Sequence, residues 1–193
     1  YWDNGLNAMK PVLANQGVTA ITGACDSIVV ELRDSSAPYA MAYSTQALLM
    51  QNGNAVCTFP SVNGTYYIAV KHRNAIQTWS ANPIAIGAVT SYDFSTAATQ
   101  AYGSTLQQTE VSPGVFGFWS GDIAIDENMD LLDLGIVETD ISEFVFGYYY
   151  DPSNTNYPLG VIGTDLNGDG NVDLLDGGIL ENNISNFIFS SHP

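Results

Sequence analysis

The sequence predicts a mainly β chain: an immunoglobulin-like antiparallel β-sandwich over residues 1–119, then a small α-helical pair of loop–helix repeats over residues 120–193. Three observations predict it. From Val18 to Phe94, short β-branched and aromatic runs are separated by turn residues about every ten positions. From Asp165 to Asp176, oxygen-bearing side chains stand at positions 1, 3, 5, 9 and 12 of a 12-residue loop. A 43-residue shift lays a second copy of that stretch, beginning at Asp122, over the first.

The strands follow in order. Ser27-Ile28-Val29-Val30-Glu31-Leu32-Arg33 alternates and stops at Asp34-Ser35-Ser36. Tyr39 to Met50 holds either two strands or one bent strand. Gln51-Asn52-Gly53-Asn54 carries the Asn-Gly signal of a tight hairpin, which makes Ala55 to Phe59 its return strand. Thr65 to His72 is the strongest strand, and Pro83–Ile86 and Val89–Phe94 close the set. Ser95 to Glu110 is small and polar and reads as a connection. Gly114 to Trp119 is an apolar strand leading into Asp122.

The loop Asp165-Leu166-Asn167-Gly168-Asp169-Gly170-Asn171-Val172-Asp173-Leu174-Leu175-Asp176 has the chemistry of a calcium site. Calcium takes six to eight hard oxygen ligands, and a 12-residue loop wraps it when these positions turn inward. The expected ligands are Asp165, Asn167, Asp169, the Asn171 carbonyl, Asp173 through a water, and Asp176. Gly170 stands where the chain must turn sharply, a conformation that glycine adopts cheaply. Four carboxylates this close repel one another by about 1–4 kcal/mol per pair unless a cation intervenes. The first copy places Asp122, Asp126, Asn128, Asp130 and Asp133 at the matching positions, with Ala124 replacing Asn167 and Glu127 replacing Gly170. The match continues through Leu131-Leu132, Gly135, Ile136, Glu138, Ile141-Ser142 and Phe144. One ligand is lost and Glu127 is strained in a left-handed turn. The second loop should therefore bind calcium tightly, and the first weakly or with substituted ligands.

These paired loops resemble the dockerin repeat, in which a calcium loop leads directly into one helix. The resemblance covers Ser120 to Phe189 and implies docking onto a cohesin through loop positions 10 and 11. Here those positions are Leu131-Leu132 and Leu174-Leu175 rather than the polar pairs common in that family, and the linker Gly147–Thr164 is longer than usual. The other expectation for the leucines is packing, on each other or on the preceding domain. A second resemblance covers nearly the whole chain. It rests on Val30 to Asp34, Ala37-Pro38-Tyr39-Ala40, Tyr66 to Asn74, Thr78 to Pro83, Gln100-Ala101-Tyr102-Gly103, Gly114-Val115-Phe116 and Ser120-Gly121-Asp122. These runs are similar to the C-terminal module of large secreted surface proteins of bacteria using type IX secretion. That resemblance implies an extracellular, cell-surface location and no enzymatic activity. In that family an apolar strand precedes the segment matching Tyr1 to Gly5, so the sandwich is expected to have an unpaired edge. A strand from a neighbouring copy, either Asn186–Phe189 or Tyr1–Val12, would fill it and build a head-to-tail filament, a homopolymer. The alternative is a strand from an upstream part of the same polypeptide.

Twenty acidic residues face only Lys10, Arg33, Lys71 and Arg73, for a net charge of −16. Nucleic acid and anionic membrane surfaces, which require basic patches, are excluded as partners. No apolar run approaches a membrane span, so membrane insertion is not expected. The first residue is Tyr1 and no signal peptide is visible, which fits a processed or excised secreted product. Cys25 and Cys57 are either an intradomain disulfide or two reduced core thiols.

The sequence contains no nucleophile elbow, phosphate loop or paired-histidine zinc motif, and eight of its twenty acids stand at loop positions. An enzyme is not expected. His72 reads as a solvated strand histidine. Trp79 and Tyr148-Tyr149-Tyr150 either fill an interface or stack on a polysaccharide. The partner is expected to be the chain itself or another surface protein, with a polysaccharide as the alternative.

Overall fold

The computed structural model describes residues 1–148 and 161–193. The chain opens with a small ribbon of β1 (Trp2–Asp3) and β2 (Ala8–Met9), then a one-turn helix α1 (Val12–Asn15). The central sheet follows: β3 (Ala24–Asp34), β4 (Met41–Met50), β5 (Gly64–Lys71), β6 (Thr78–Trp79) and β7 (Ile84–Ile86). Its order is β4-β3-β5-β6, with β7 pairing the other end of β5 on the same side as β6. Every pairing is antiparallel. Three short 3-10 turns between Phe94 and Gln107 lead to the hairpin of β8 (Gln108–Ser112) and β9 (Val115–Phe118). Two helices end the chain, α2 (Leu131–Ser142) and α3 (Leu174–Ser185).

The mainly β, antiparallel architecture is as expected, with two differences. Of the two alternatives for Tyr39–Met50 the single strand forms, over Met41–Met50, preceded by a cis Ala37–Pro38 bond. The turn at Gln51–Asn54 forms, but its return is a single bridge from Leu49 to Ala55 rather than a strand. Val89–Phe94 is not a strand: Tyr92 turns inward, its hydroxyl donating to the Gln100 carbonyl at 2.6 Å, and Asp93 caps a 3-10 turn. The β-rich sequence of both segments is used for side-chain packing instead of ladder bonds. Phe59 and Phe94 lie against the sheet core of Ile28, Val30, Ala47 and Val70, where Phe118 of the β8–β9 hairpin joins them.

The second core belongs to the repeats and is built from matching residues: Ile123 with Leu166, Met129 with Val172, Ile136 with Ile179, Val137 with Leu180, and Val145 with Ile188. Ile76 enters this core from the β region. There the backbone also joins the two parts, since Ile76 N donates to the Trp119 carbonyl at 2.9 Å and Gly121 N to the Asn74 carbonyl at 2.7 Å.

The repeats close on each other reciprocally. Met129 N donates to the Ile188 carbonyl at 3.1 Å, and its counterpart Val172 N to the Val145 carbonyl at 3.2 Å. Ser190 N donates to the Glu127 carbonyl at 2.8 Å, and Gly147 N to the Gly170 carbonyl at 2.7 Å. Each loop is thus bridged by the segment that follows the other repeat's helix, giving a pseudo-twofold pair. Both helices end on a phenylalanine in the left-handed region, Phe144 (φ 56°) and Phe187 (φ 53°), where glycine is usual.

Candidate metal centre

The second loop is organised by its first and last carboxylates. Asp165 gathers three amides: Gly168 N at 2.7 Å and Asp169 N at 3.2 Å on Oδ1, and Gly170 N at 3.0 Å on Oδ2. Asp176 is fully buried. Its Oδ1 accepts from Leu166 N (2.7 Å) and Asn167 N (3.0 Å), and its Oδ2 from Asp173 N (2.9 Å). Asp173 caps α3 by accepting from Leu175 N at 2.8 Å, so Asp173 and Asp176 form a capping box. Asp169 accepts from Asn171 N at 2.9 Å and from the Asn167 side-chain amide at 3.0 Å.

The first loop repeats this scheme. Asp133 accepts from Ile123 N, Ala124 N and Asp130 N at 2.8, 3.0 and 2.9 Å, and Asp130 caps α2 through Leu132 N at 2.7 Å. Asp122 gathers Asp126 N at 3.0 Å and Glu127 N at 3.3 Å, one amide fewer than Asp165. Asp126 accepts from Asn128 N at 3.0 Å. The left-handed positions coincide as well: Gly168 (φ 71°) and Gly170 (φ 93°) in one loop, Ile125 (φ 54°) and Glu127 (φ 73°) in the other. Glu127 thus occupies the left-handed turn expected for it.

Among the described residues, no three His, Cys, Asp or Glu side chains converge on one point, because the carboxylates turn toward the loops' own amides. The donor set nevertheless fits calcium. It is all hard oxygen, and each carboxylate oxygen that accepts one N–H retains a second lone pair. The most specific sign is Asn167, at loop position 3: its Oδ1 is buried without a hydrogen-bond partner. A buried orphan acceptor costs about 1–3 kcal/mol, and a cation at this place would relieve it. The first loop has Ala124 there and no such donor.

Electrostatics support the same reading. Burial, reinforced by the charge of Asp133, pushes the Asp122 carboxyl up to about 7. Burial likewise raises Asp133, Asp165 and Asp176 above the usual carboxylate range, against the lowering effect of their amide partners. Asp169 is held below that range because hydrogen bonds from Asn171 and Asn167 outweigh its burial.

Sequence reasoning missed what surrounds the second loop. Lys10 Nζ donates to the Asn167 carbonyl at 2.9 Å, and Asn74 Nδ2 to the Asp165 carbonyl at 3.3 Å. A Cβ on Gly168 would lie 2.7 Å from both Tyr1 and Val12, and one on Gly170 would meet the Gln16 side chain. The N-terminal segment therefore roofs this loop; Gly168 is needed for space as well as for φ, while at Gly170 φ decides, because the neighbouring Gln16 side chain is flexible. Behind it, Asp26 is buried and accepts from Arg73 Nε at 3.0 Å and Tyr148 OH at 2.8 Å, with His72 Nε2 3.0 Å away. Arg73 also donates to the Ile162 carbonyl and to Tyr1 OH. His72 is therefore a nearly buried partner of Asp26, not a solvated strand residue. The one available signal was that Lys10 and Arg73 are two of only four cations in the sequence.

Trp79 is buried, stacked on His192 with ring centroids 5.1 Å apart, so it offers no open face to a sugar. Tyr148 is spent on Asp26 and Arg73; Tyr149 and Tyr150 lie outside the described residues. Cys25 and Cys57 are free, and burial raises Cys25 to about 11.

The leucines at loop positions 10 and 11 do not pack on each other or on the β region. Leu131 and Leu132 are 74% and 57% exposed, Leu174 and Leu175 80% and 65%. Phe144, Phe146, Phe187 and Phe189 are exposed too. The bridges place Phe189 beside Asn128, just before Leu131, and Phe146 beside Asn171, just before Leu174.

No helix among the described residues is long and apolar enough to cross a membrane. No family model matches the chain, and neither does any curated protein. Among solved structures, the chain is similar to two type II Cohesin-X-Dockerin complexes of Acetivibrio cellulolyticus. One, carrying an N-terminal interface mutant, matches at 20% identity over 81% of this chain and 79% of the other, with a TM-score of 0.42. The second, carrying a C-terminal interface mutant, matches at 21% identity over 86% of each chain, with a TM-score of 0.43.

Proposed function

We propose that this chain is a non-enzymatic, extracellular protein-docking module, whose calcium-set repeat pair presents two equivalent apolar patches to a partner. The observation that carries this reading is the exposure of Leu131-Leu132 and Leu174-Leu175 at matching places, each directly after an acidic loop. Four exposed leucines and four exposed phenylalanines on one small repeat pair are more apolar surface than a solvated face needs. The dockerin-like pattern supports a cohesin-type partner.

Calcium, when bound, supplies the positive charge that the buried carboxylates lack. Asp165, Asn167, Asp169, Asn171, Asp173 and Asp176 would hold one ion. Asp122, Asp126, Asn128, Asp130 and Asp133 would hold a second, more weakly. Asp173 and Asp176 belong both to the loop and to the α3 cap, so they hold Leu174-Leu175 in place on the first turn of that helix. Asp130 and Asp133 do the same for Leu131-Leu132. Pseudo-twofold symmetry gives a partner two equivalent poses.

The test is binding of immobilised chain to a panel of type I and type II cohesin domains, in calcium and in EGTA. Changing one leucine pair to serine should weaken binding only about twofold, as one of two poses is lost; changing both pairs should abolish it. Absence of binding to any cohesin in calcium, or binding indifferent to the double change, overturns the reading.

A further inference from the structure

Among the described residues, the sheet leaves one long edge open. β4 pairs with β3 along its inner side, and among the described residues no backbone hydrogen bond reaches Met41–Leu48 from the other side. Natural sheets protect such an edge with charge, proline or a bulge. This edge has no charge at all: residues 35–70 contain no Asp, Glu, Lys, Arg or His. The only prolines nearby, Pro38 and Pro60, lie outside the strand.

The charge of the neighbouring strands is also cancelled. Between Ala24 and Arg73 the acids are Asp26, Glu31 and Asp34, and the bases Arg33, Lys71 and Arg73. Glu31 pairs with Arg33 and, at 3.2 Å, with Lys71; Asp26 pairs with Arg73. The sheet body is therefore neutral, and the whole net charge of −16 lies outside it. Two copies of so acidic a chain repel each other across most approaches, but not along this edge.

We propose that β4 is a homotypic docking edge, on which a second copy of this chain pairs its own β4 antiparallel about a twofold axis. The two sheets then run on as one. Such a contact uses the same strand on both copies and closes on itself, so it makes a dimer and not a head-to-tail filament. Its outward side chains Ala42, Ser44 and Gln46 are exposed, small or neutral, and bring no like charges together across the axis.

The experiment is sedimentation velocity on the full chain in calcium over a concentration series, at low and high salt, with hydrogen exchange followed at Met41–Leu48. The expected result is a monomer–dimer equilibrium strengthened by salt, with these amides gaining protection as concentration rises. Ser44→Glu with Gln46→Glu should weaken dimerisation at least tenfold, whereas Ser44→Thr with Gln46→Thr should retain it. Leucine-to-serine changes in the repeats should leave it untouched, which separates this proposal from the docking reading. A monomer at millimolar concentration, assembly beyond the dimer, or a dimer indifferent to the glutamates overturns the proposal.

Discussion

Gly168→Ala tests whether the N-terminal segment is seated on the second loop. The residue has φ 71°, so an alanine there meets the left-handed penalty of roughly 1–2 kcal/mol. Its new Cβ would lie 2.7 Å from Tyr1 Cδ1 and 2.7 Å from Val12 Cγ2. Val12 is fully buried and β-branched, so it has little rotamer freedom with which to yield. Overpacking of this kind costs about 1–3 kcal/mol, while the stiffer unfolded chain returns about 0.4–1 kcal/mol. The net expectation is a loss of about 2–4 kcal/mol in urea unfolding at saturating calcium, with an unchanged denaturant slope. Gly53→Ala is the control: it has φ 81° with nothing within 4 Å of the added Cβ, and should lose only about 1 kcal/mol. If Gly168→Ala costs no more than Gly53→Ala, the roof over the loop is absent in solution and the reasoning fails.

Excess EGTA should lower the melting temperature, because ions that bind only the folded state add their binding energy to stability; an unchanged scanning-calorimetry profile would count against both metal sites. Asp165→Ala strands three loop amides and Asp122→Ala two, at about 1–3 kcal/mol for each amide left without a partner, so Asp165→Ala should be the more destabilising in thermal melts. Asn167→Ala should weaken calcium affinity in titration calorimetry but change stability in EGTA by less than about 1 kcal/mol, since losing the amide bond to Asp169 is offset by removing the orphaned Oδ1. For pH, burial works against the Asp26 charge, but His72, Arg73 and Tyr148 hold its carboxyl well below the usual range. A depressed carboxylate contributes stability above its ordinary pKa of about 4 that is lost as pH falls toward the folded value. Asp26→Asn should therefore destabilise at pH 7, with the gap to the unsubstituted chain closing under acid in urea melts.

The central strands and both loop–helix units were legible because their signals are local. Ser27–Arg33 alternates with period two, and the acidic loops carry their own helix caps. What was not legible depends on partners distant in sequence. Ala55–Phe59 and Val89–Phe94 have strand composition, but Phe59 and Phe94 are drawn onto the sheet core instead, so tertiary packing overrode propensity. His72 directly follows the strongest strand, and nothing near it reveals that Asp26 lies opposite, while Lys10 and Gln16 from the N-terminal segment and Asn74 from beyond β5 converge on the second loop. Conversely, Leu174-Leu175 has the composition of core residues, and only the fold shows that the core was already filled by Leu180, Val172 and Ile188.

The crossed bonding of the repeats fixes an order of events for a chain that emerges from its N-terminus. The amide of Met129, in the first loop, finds its acceptor at Ile188, and the Glu127 carbonyl finds its donor at Ser190. The first acidic loop can gather its own amides onto Asp122 and Asp133 once its helix is made, but its outer bridge waits for Ile188 and Ser190. Until then the Met129 amide and the Glu127 carbonyl are left to water. A chain truncated before Ile188 would therefore lose the bridge over the first loop, far from the cut in sequence, while Val145 and Gly147 would still bridge the second.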